Sequence, residues 1–82
     1  MKTVIFKSAI HNRNRIKFLY GLKEFIVEPL YVSKNKNGKK VLYGKVFGTN
    51  EIKCFEYKKI SNIKTLNYQK FSPVISITPL IN

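Results

Sequence analysis

KKVLYGKVFGTNEIKCFEYKKISNI, residues 39–63, holds two strands joined by a tight turn and then clipped by a short basic segment. Val41 to Phe47 is a run of β-branched and aromatic residues, Gly48-Thr49-Asn50-Glu51 supplies turn chemistry, and Ile52 to Tyr57 is a second run carrying Ile, Cys, Phe and Tyr. The pattern predicts a β-hairpin at the centre of a small barrel. Gly44 interrupts the first run, which marks a bend or a close backbone approach of the kind a curling sheet needs. In Lys58-Lys59-Ile60-Ser61-Asn62-Ile63 the two lysines stand beside an apolar pair spaced three apart, which fits one turn of 3₁₀ helix better than a strand. The lysine pair then stands at the barrel rim.

Working outward, the segment before this hairpin predicts a helix and two strands. Thr3 is placed to cap a short helix whose apolar stripe is Ile5, Phe6, Ala9 and Ile10, with Lys2, Lys7 and His11 toward water. The run His11-Asn12-Arg13-Asn14-Arg15 continues a helix poorly, and Asn12 or Asn14 suits the C-cap. Arg15 to Tyr20 alternates, with Ile16, Phe18 and Tyr20 on one side and Arg15, Lys17 and Leu19 on the other. Gly21-Leu22-Lys23 makes a turn into a second strand, Glu24 to Val32. Pro29 cannot donate to a ladder, so that strand is either an edge or bulged at Pro29. Residues 33–40, SKNKNGKK, form a basic loop turning at Asn37-Gly38, which makes the flanking strands antiparallel neighbours. The loop is either a solvated hairpin tip or a phosphate-contacting arm, and its composition favours the tip. Ile63 to Tyr68 supplies a last strand. The expected fold is mainly β with a short N-terminal helix: a five-stranded barrel over residues 1–68 and a C-terminal apolar extension over 69–82.

Composition narrows the function. Eighty-two residues make one domain that buries roughly 60 to 65% of its unfolded surface. No apolar run reaches the length of a membrane span and no cleavage site follows the N-terminal segment, so a cytoplasmic, unprocessed chain is expected. Cys54 is the single cysteine, without an internal disulfide partner or metal-ligand spacing, and reads as a small strand residue. His11 reads as a solvated helix-end residue. With one His, four Glu and no Asp, and without a nucleophile constellation or a glycine-rich phosphate loop, the chain is expected to be neither an enzyme nor a cofactor binder. The charge is unusual: 16 Lys plus Arg give a net +12. Lysine over arginine follows from AT-rich coding, but the dearth of acids does not. So large an excess on so small a body attracts polyanions, and nucleic acid is the economical partner.

Read as AI-x-N-R-x-R-I-x-F-x-Y from Ala9 to Tyr20, V-E-P from Val27 to Pro29, L-x-G from Leu42 to Gly44 and K-x-F-x-x-x-K-I from Lys53 to Ile60, the chain resembles the WYL domain. That family is a small Sm-like or SH3-like barrel found mostly in bacterial transcription regulators. The resemblance covers roughly Ile5 to Leu66. It departs at the naming triplet, which falls on Lys40-Val41-Leu42, and in placing Lys53 and Lys59 where the family has arginines and Glu56 where it has another. It implies a ligand-sensing module for single-stranded nucleic acid or a nucleotide-type ligand. The positions matching the family's pocket are Tyr20, Lys53 and Lys59, with Phe55 in the core. Lys58 of the clip and Arg13 and Arg15 of the basic run join them as rim cations.

A rival expectation is an interaction or dimerisation module that docks on an acidic protein surface. The apolar groups Phe71, Val74, Ile75, Ile77, Leu80 and Ile81 point the same way. They are expected to be buried against the barrel or a second copy, giving a homodimer in which the tail joins the interface.

Overall fold

The structure, a computed structural model, describes residues 1–70. Its elements run in chain order as helix α1 (Lys2–Asn12), strands β1 (Asn14–Tyr20), β2 (Lys23–Lys34), β3 (Lys40–Val46) and β4 (Ile52–Glu56), the 3₁₀ turn η1 (Tyr57–Lys59), and β5 (Ile60–Lys70). The fold is mainly β with one short helix, as the sequence predicts. The strands form one antiparallel sheet in the order β4-β3-β2-β1-β5. The expected barrel closure is corrected by this order: among the described residues β4 pairs with β3 alone, β5 pairs with β1 alone, and the two edges share no ladder. The cause is the clip. η1 turns the chain out of the line of β4 and delivers Ile60 opposite Tyr20 on the far edge. Two bonds fasten that corner, from Gly21 N–H to Lys59 O at 3.3 Å and from Glu56 N–H to the Tyr20 hydroxyl at 3.0 Å. The 3₁₀ turn expected at Lys58–Ile63 therefore ends at Lys59, because Ile60 is buried as the first residue of β5. β5 runs two residues beyond the boundary expected at 68. The remainder of the apolar extension, residues 71–82, and any part it plays in a dimer lie outside the described residues.

Alternation decides which side chains meet. Ile16 faces Val27, Phe18 faces Phe25 and Leu42 faces Phe55 across their ladders. With Phe6 and Ala9 of α1, and Ile60, these inward residues make the core. Phe55 sits at its centre, its ring 5.0 Å from Phe18 and from Tyr20 and 5.2 Å from Phe25, all edge-on. Such T-shaped contacts add about 0.5–1.5 kcal/mol each beyond the area they bury.

Both helix ends differ from expectation. The N-cap is Met1, whose carbonyl accepts from Ile5 N–H. Thr3 lies inside the helix, and its hydroxyl pairs at 2.9 Å with the hydroxyl of Tyr57. Neither Asn12 nor Asn14 is the C-cap: Arg13 takes the left-handed conformation there, φ 56° and ψ 42°. Asn14 already belongs to β1, buried, with its amide nitrogen 3.3 Å from Asn67 Oδ1. Lys2 is not a plain solvent residue either, since its Nζ donates to Tyr57 O at 2.7 Å.

Pro29 resolves as the bulge. β2 is a central strand, not an edge, but its pairing with β1 runs only as far as Val27, and its register against β3 shifts between Pro29 and Tyr31. Gly44 lies opposite Pro29, and its backbone comes close enough that a Cβ would stand 3.2 Å from Glu28 O and 3.3 Å from Val27 Cγ2. The carbonyl is backbone of the regular ladder, where Glu28 pairs with Lys45 just before the bulge, and cannot withdraw without disturbing that pairing. Gly44→Ala is therefore expected to destabilise the fold by about 1–3 kcal/mol, read as a lower urea midpoint at unchanged m-value; an unaltered midpoint would show that the ladder relaxes freely.

Candidate nucleic-acid interface

The residues expected to form a site are not gathered in one place. Tyr20 acts as a brace, its ring between Phe25 and Phe55 and its hydroxyl engaged by Glu56 N–H. Arg15 is ion-paired on the outer face of the sheet: Nε and Nη2 both donate to Glu28 Oε2 at 3.0 Å, and the guanidinium lies 4.6 Å over the Phe47 ring. Glu28, a buried carboxylate, is also 3.8 Å from Lys45. Arg13 is exposed at the helix C-cap. Lys53 sits on β4 with Nζ 3.7 Å from Glu51. Lys58 and Lys59 project from η1 into solvent.

Two depressions lie at opposite ends of β2, β3 and β4. One is a cleft of about 420 Å³ among Lys23, Phe25, Val46, Phe47, Glu51 and Lys53. Glu24 also lines it, so its two lysines face two carboxylates. The other is a pair of adjoining grooves, about 200 and 270 Å³, that share Lys40 and Tyr57. Here α1 contributes Lys7, the end of β2 Lys34, the loop Lys39, the start of β3 Lys40, and η1 Lys58. Glu56 is the one carboxylate residue among the groove walls.

Local structure explains this convergence. Asn35 fastens the hairpin tip, its Oδ1 accepting from the N–H groups of Asn37 at 2.9 Å and Lys39 at 3.0 Å while its own N–H donates to Lys39 O. Gly38 turns the chain at φ 79°, a conformation open to a residue without Cβ. With the tip closed, Lys34 and Lys40 become direct partners across the ladder. Like charges directly opposite each other are destabilising in a sheet. Tyr57 forms the floor, its hydroxyl on Thr3, its ring edge-on to Phe6 at 5.2 Å and its carbonyl on Lys2. Arg15, Lys17, Lys45 and Lys53 have carboxylate partners, but among the described residues none of Lys7, Lys34, Lys39, Lys40 and Lys58 does.

Of the expected site residues, Lys58 alone lines this basic groove. Lys34, Lys39 and Lys40 of the hairpin belong to it as well, although composition favours a solvated tip. The signal for Lys34 and Lys40 lies in the sequence, since an Asn-Gly turn flanked on both sides by lysines sets like charges face to face. Among the described residues no group of three or more His, Cys, Asp or Glu is placed to hold a metal ion, and no helix is long and apolar enough to cross a membrane. No family model, no curated protein and no solved structure matches the chain. The resemblance to the WYL domain rests on the residues quoted for it.

Proposed function

We propose that the chain is a non-catalytic module that binds single-stranded nucleic acid along the groove of Lys7, Lys34, Lys39, Lys40 and Lys58. One observation carries this reading: lysines without carboxylate partners, drawn from a helix, a hairpin and a 3₁₀ turn, converge on one tyrosine. An opposed pair such as Lys34 and Lys40 costs stability in the free protein and is relieved by a bound anion. A row of phosphates satisfies the whole set, each contact releasing condensed counterions. A flexible single strand follows a groove walled by three elements, and cationic tracks with aromatic side chains are what such strands use. The regulatory role implied by the WYL resemblance is part of the same proposal.

The test is binding of a labelled single-stranded oligonucleotide, followed by fluorescence anisotropy between 50 and 200 mM salt. With about 0.7 logarithmic units of slope per phosphate contact, the five lysines predict a slope near −3.5, so fourfold more salt lowers affinity roughly 100-fold. Binding that ignores salt, or none at low salt, removes the proposal. The interaction-module reading rests on a different feature, the open edge of β4 with Ile52 59% exposed on it. A protein that fails to bind the oligonucleotide and elutes as a dimer favours that reading.

A further inference from the structure

The outer face of the sheet carries an aromatic pair that neither the core nor the groove uses. Just past the bulge, Tyr31 of β2 and Tyr43 of β3 are direct partners across the ladder. Their rings are stacked, centroids 4.7 Å apart and planes 16° from parallel. Tyr43 is half-buried between Tyr31 and the Cys54 side, where β4 supplies its next cross-strand partner. The Cys54 side chain, by hydrogen bonding, raises the Tyr43 pKa above its ordinary value. Tyr31 is 54% exposed, so the face of its ring turned away from Tyr43 is open to solvent. A cross-strand aromatic pair contributes only about 0.2–1 kcal/mol to a sheet, and that contribution does not require an open outer ring.

Position makes the exposed ring informative. Side chains two apart on a strand share a face, so Tyr31 and Ser33 point the same way while Lys34 and its partner Lys40 fall on the opposite face; Ser33 and Lys34 both wall the basic groove, which thus reaches the end of the strand from both faces. From Tyr31 to Lys34 the strand advances about 10 Å. Single-strand sites on OB-fold domains of comparable size occupy about 4–16 nucleotides, long enough to reach from groove to ring. We propose that Tyr31, held in place by Tyr43, is a stacking platform for a base of the strand whose phosphates the lysine groove holds. The inference rests on the function proposed above and adds what that function leaves open, a contact that senses bases as well as charge.

The experiment separates the two. Tyr31→Ala and Tyr31→Phe are compared with the natural protein for binding to a single-stranded oligonucleotide and to inorganic polyphosphate, a polyanion without bases. Stacking is worth about 1–3 kcal/mol per base, so Tyr31→Ala is expected to lose at least about fivefold in oligonucleotide affinity. Its polyphosphate affinity should stay unchanged, and Tyr31→Phe should behave as the natural protein on both. If Tyr31→Ala binds both ligands as the natural protein does, the platform is wrong and the groove stands. Equal weakening toward both ligands also overturns the platform, since a base contact cannot be felt by polyphosphate. If the natural protein binds neither ligand, both proposals fall.

Discussion

The double variant K40E/K58E is expected to lose at least about 30-fold in affinity for a single-stranded oligonucleotide at 0.1 M salt. Each lysine–phosphate contact contributes about 0.7 to the salt slope, which at that ionic strength is about 1 kcal/mol of counterion release. Two lost contacts therefore cost about 2 kcal/mol, and two new carboxylates in the groove add repulsion to that loss. The salt slope should flatten by about 1.4. Stability moves the other way, because K40E replaces the like-charged Lys34 and Lys40 partners with an opposite pair across the ladder. The thermal midpoint should hold or rise, so lost binding cannot be assigned to unfolding. The control is K23E/K53E, which makes the same change in net charge at the opposite end of the strands. Beyond a Debye length of about 10 Å at 0.1 M salt the remote charges are largely screened. Equal losses from the two variants would mean that bulk charge alone attracts the ligand, and the groove assignment would fail.

Phe55→Ala is expected to bring the protein to the edge of unfolding. Phe55 is fully buried and its ring touches Phe18, Tyr20 and Phe25. Removing a buried phenyl ring costs about 3–5 kcal/mol, the lost transfer energy plus the cavity left behind. A domain of this size has about 4–12 kcal/mol in total. The loss also frees one side of Tyr20, whose hydroxyl positions Glu56 at the entry to η1, so the groove should loosen along with the core. Urea denaturation checks this, with Phe55→Leu as a milder intermediate. A natural midpoint for Phe55→Ala would show that the aromatic cluster is not what holds β4 to the rest of the sheet.

Both variants touch residues whose placement the sequence reveals to different degrees. Phe55 is set in the core by what the WYL resemblance implies, and the hairpin around Gly48 is legible from its turn residues. The bulge at Pro29 follows from a missing donor, and the close approach at Gly44 from a missing Cβ. Each depends on neighbours along the chain. The helix caps fail for a matching reason: Thr3 has a better partner in Tyr57, a tertiary contact that no capping preference encodes. Barrel closure fails because it depends on how far η1 swings the chain, which local patterning does not specify. Arg15 reads as a free cation until the turn at Gly21-Leu22 is placed and register counted outward, which sets it beside Glu28. The basic groove is the least legible part. Lys7, Lys40 and Lys58 come together only when helix, hairpin and clip are assembled, and sequence shows their charge without showing that they meet.

The strand order also bears on how the chain reaches this state. β1 to β4 are sequence neighbours joined by short turns and can zip together in succession. The β1–β5 ladder is different: it must close the loop from Tyr20 to Ile60, and the entropy of that closure is spent before its contacts form. On the ribosome, β1 therefore emerges with one hydrogen-bonding edge open and keeps it open until the segment beyond Ile60 has been synthesised. Through that interval the growing chain exposes an unpaired strand rich in apolar groups. Charged side chains blunt such an edge, and the charges β1 carries, Arg15 and Lys17, are each already matched by a carboxylate of β2, so β5 is what covers it.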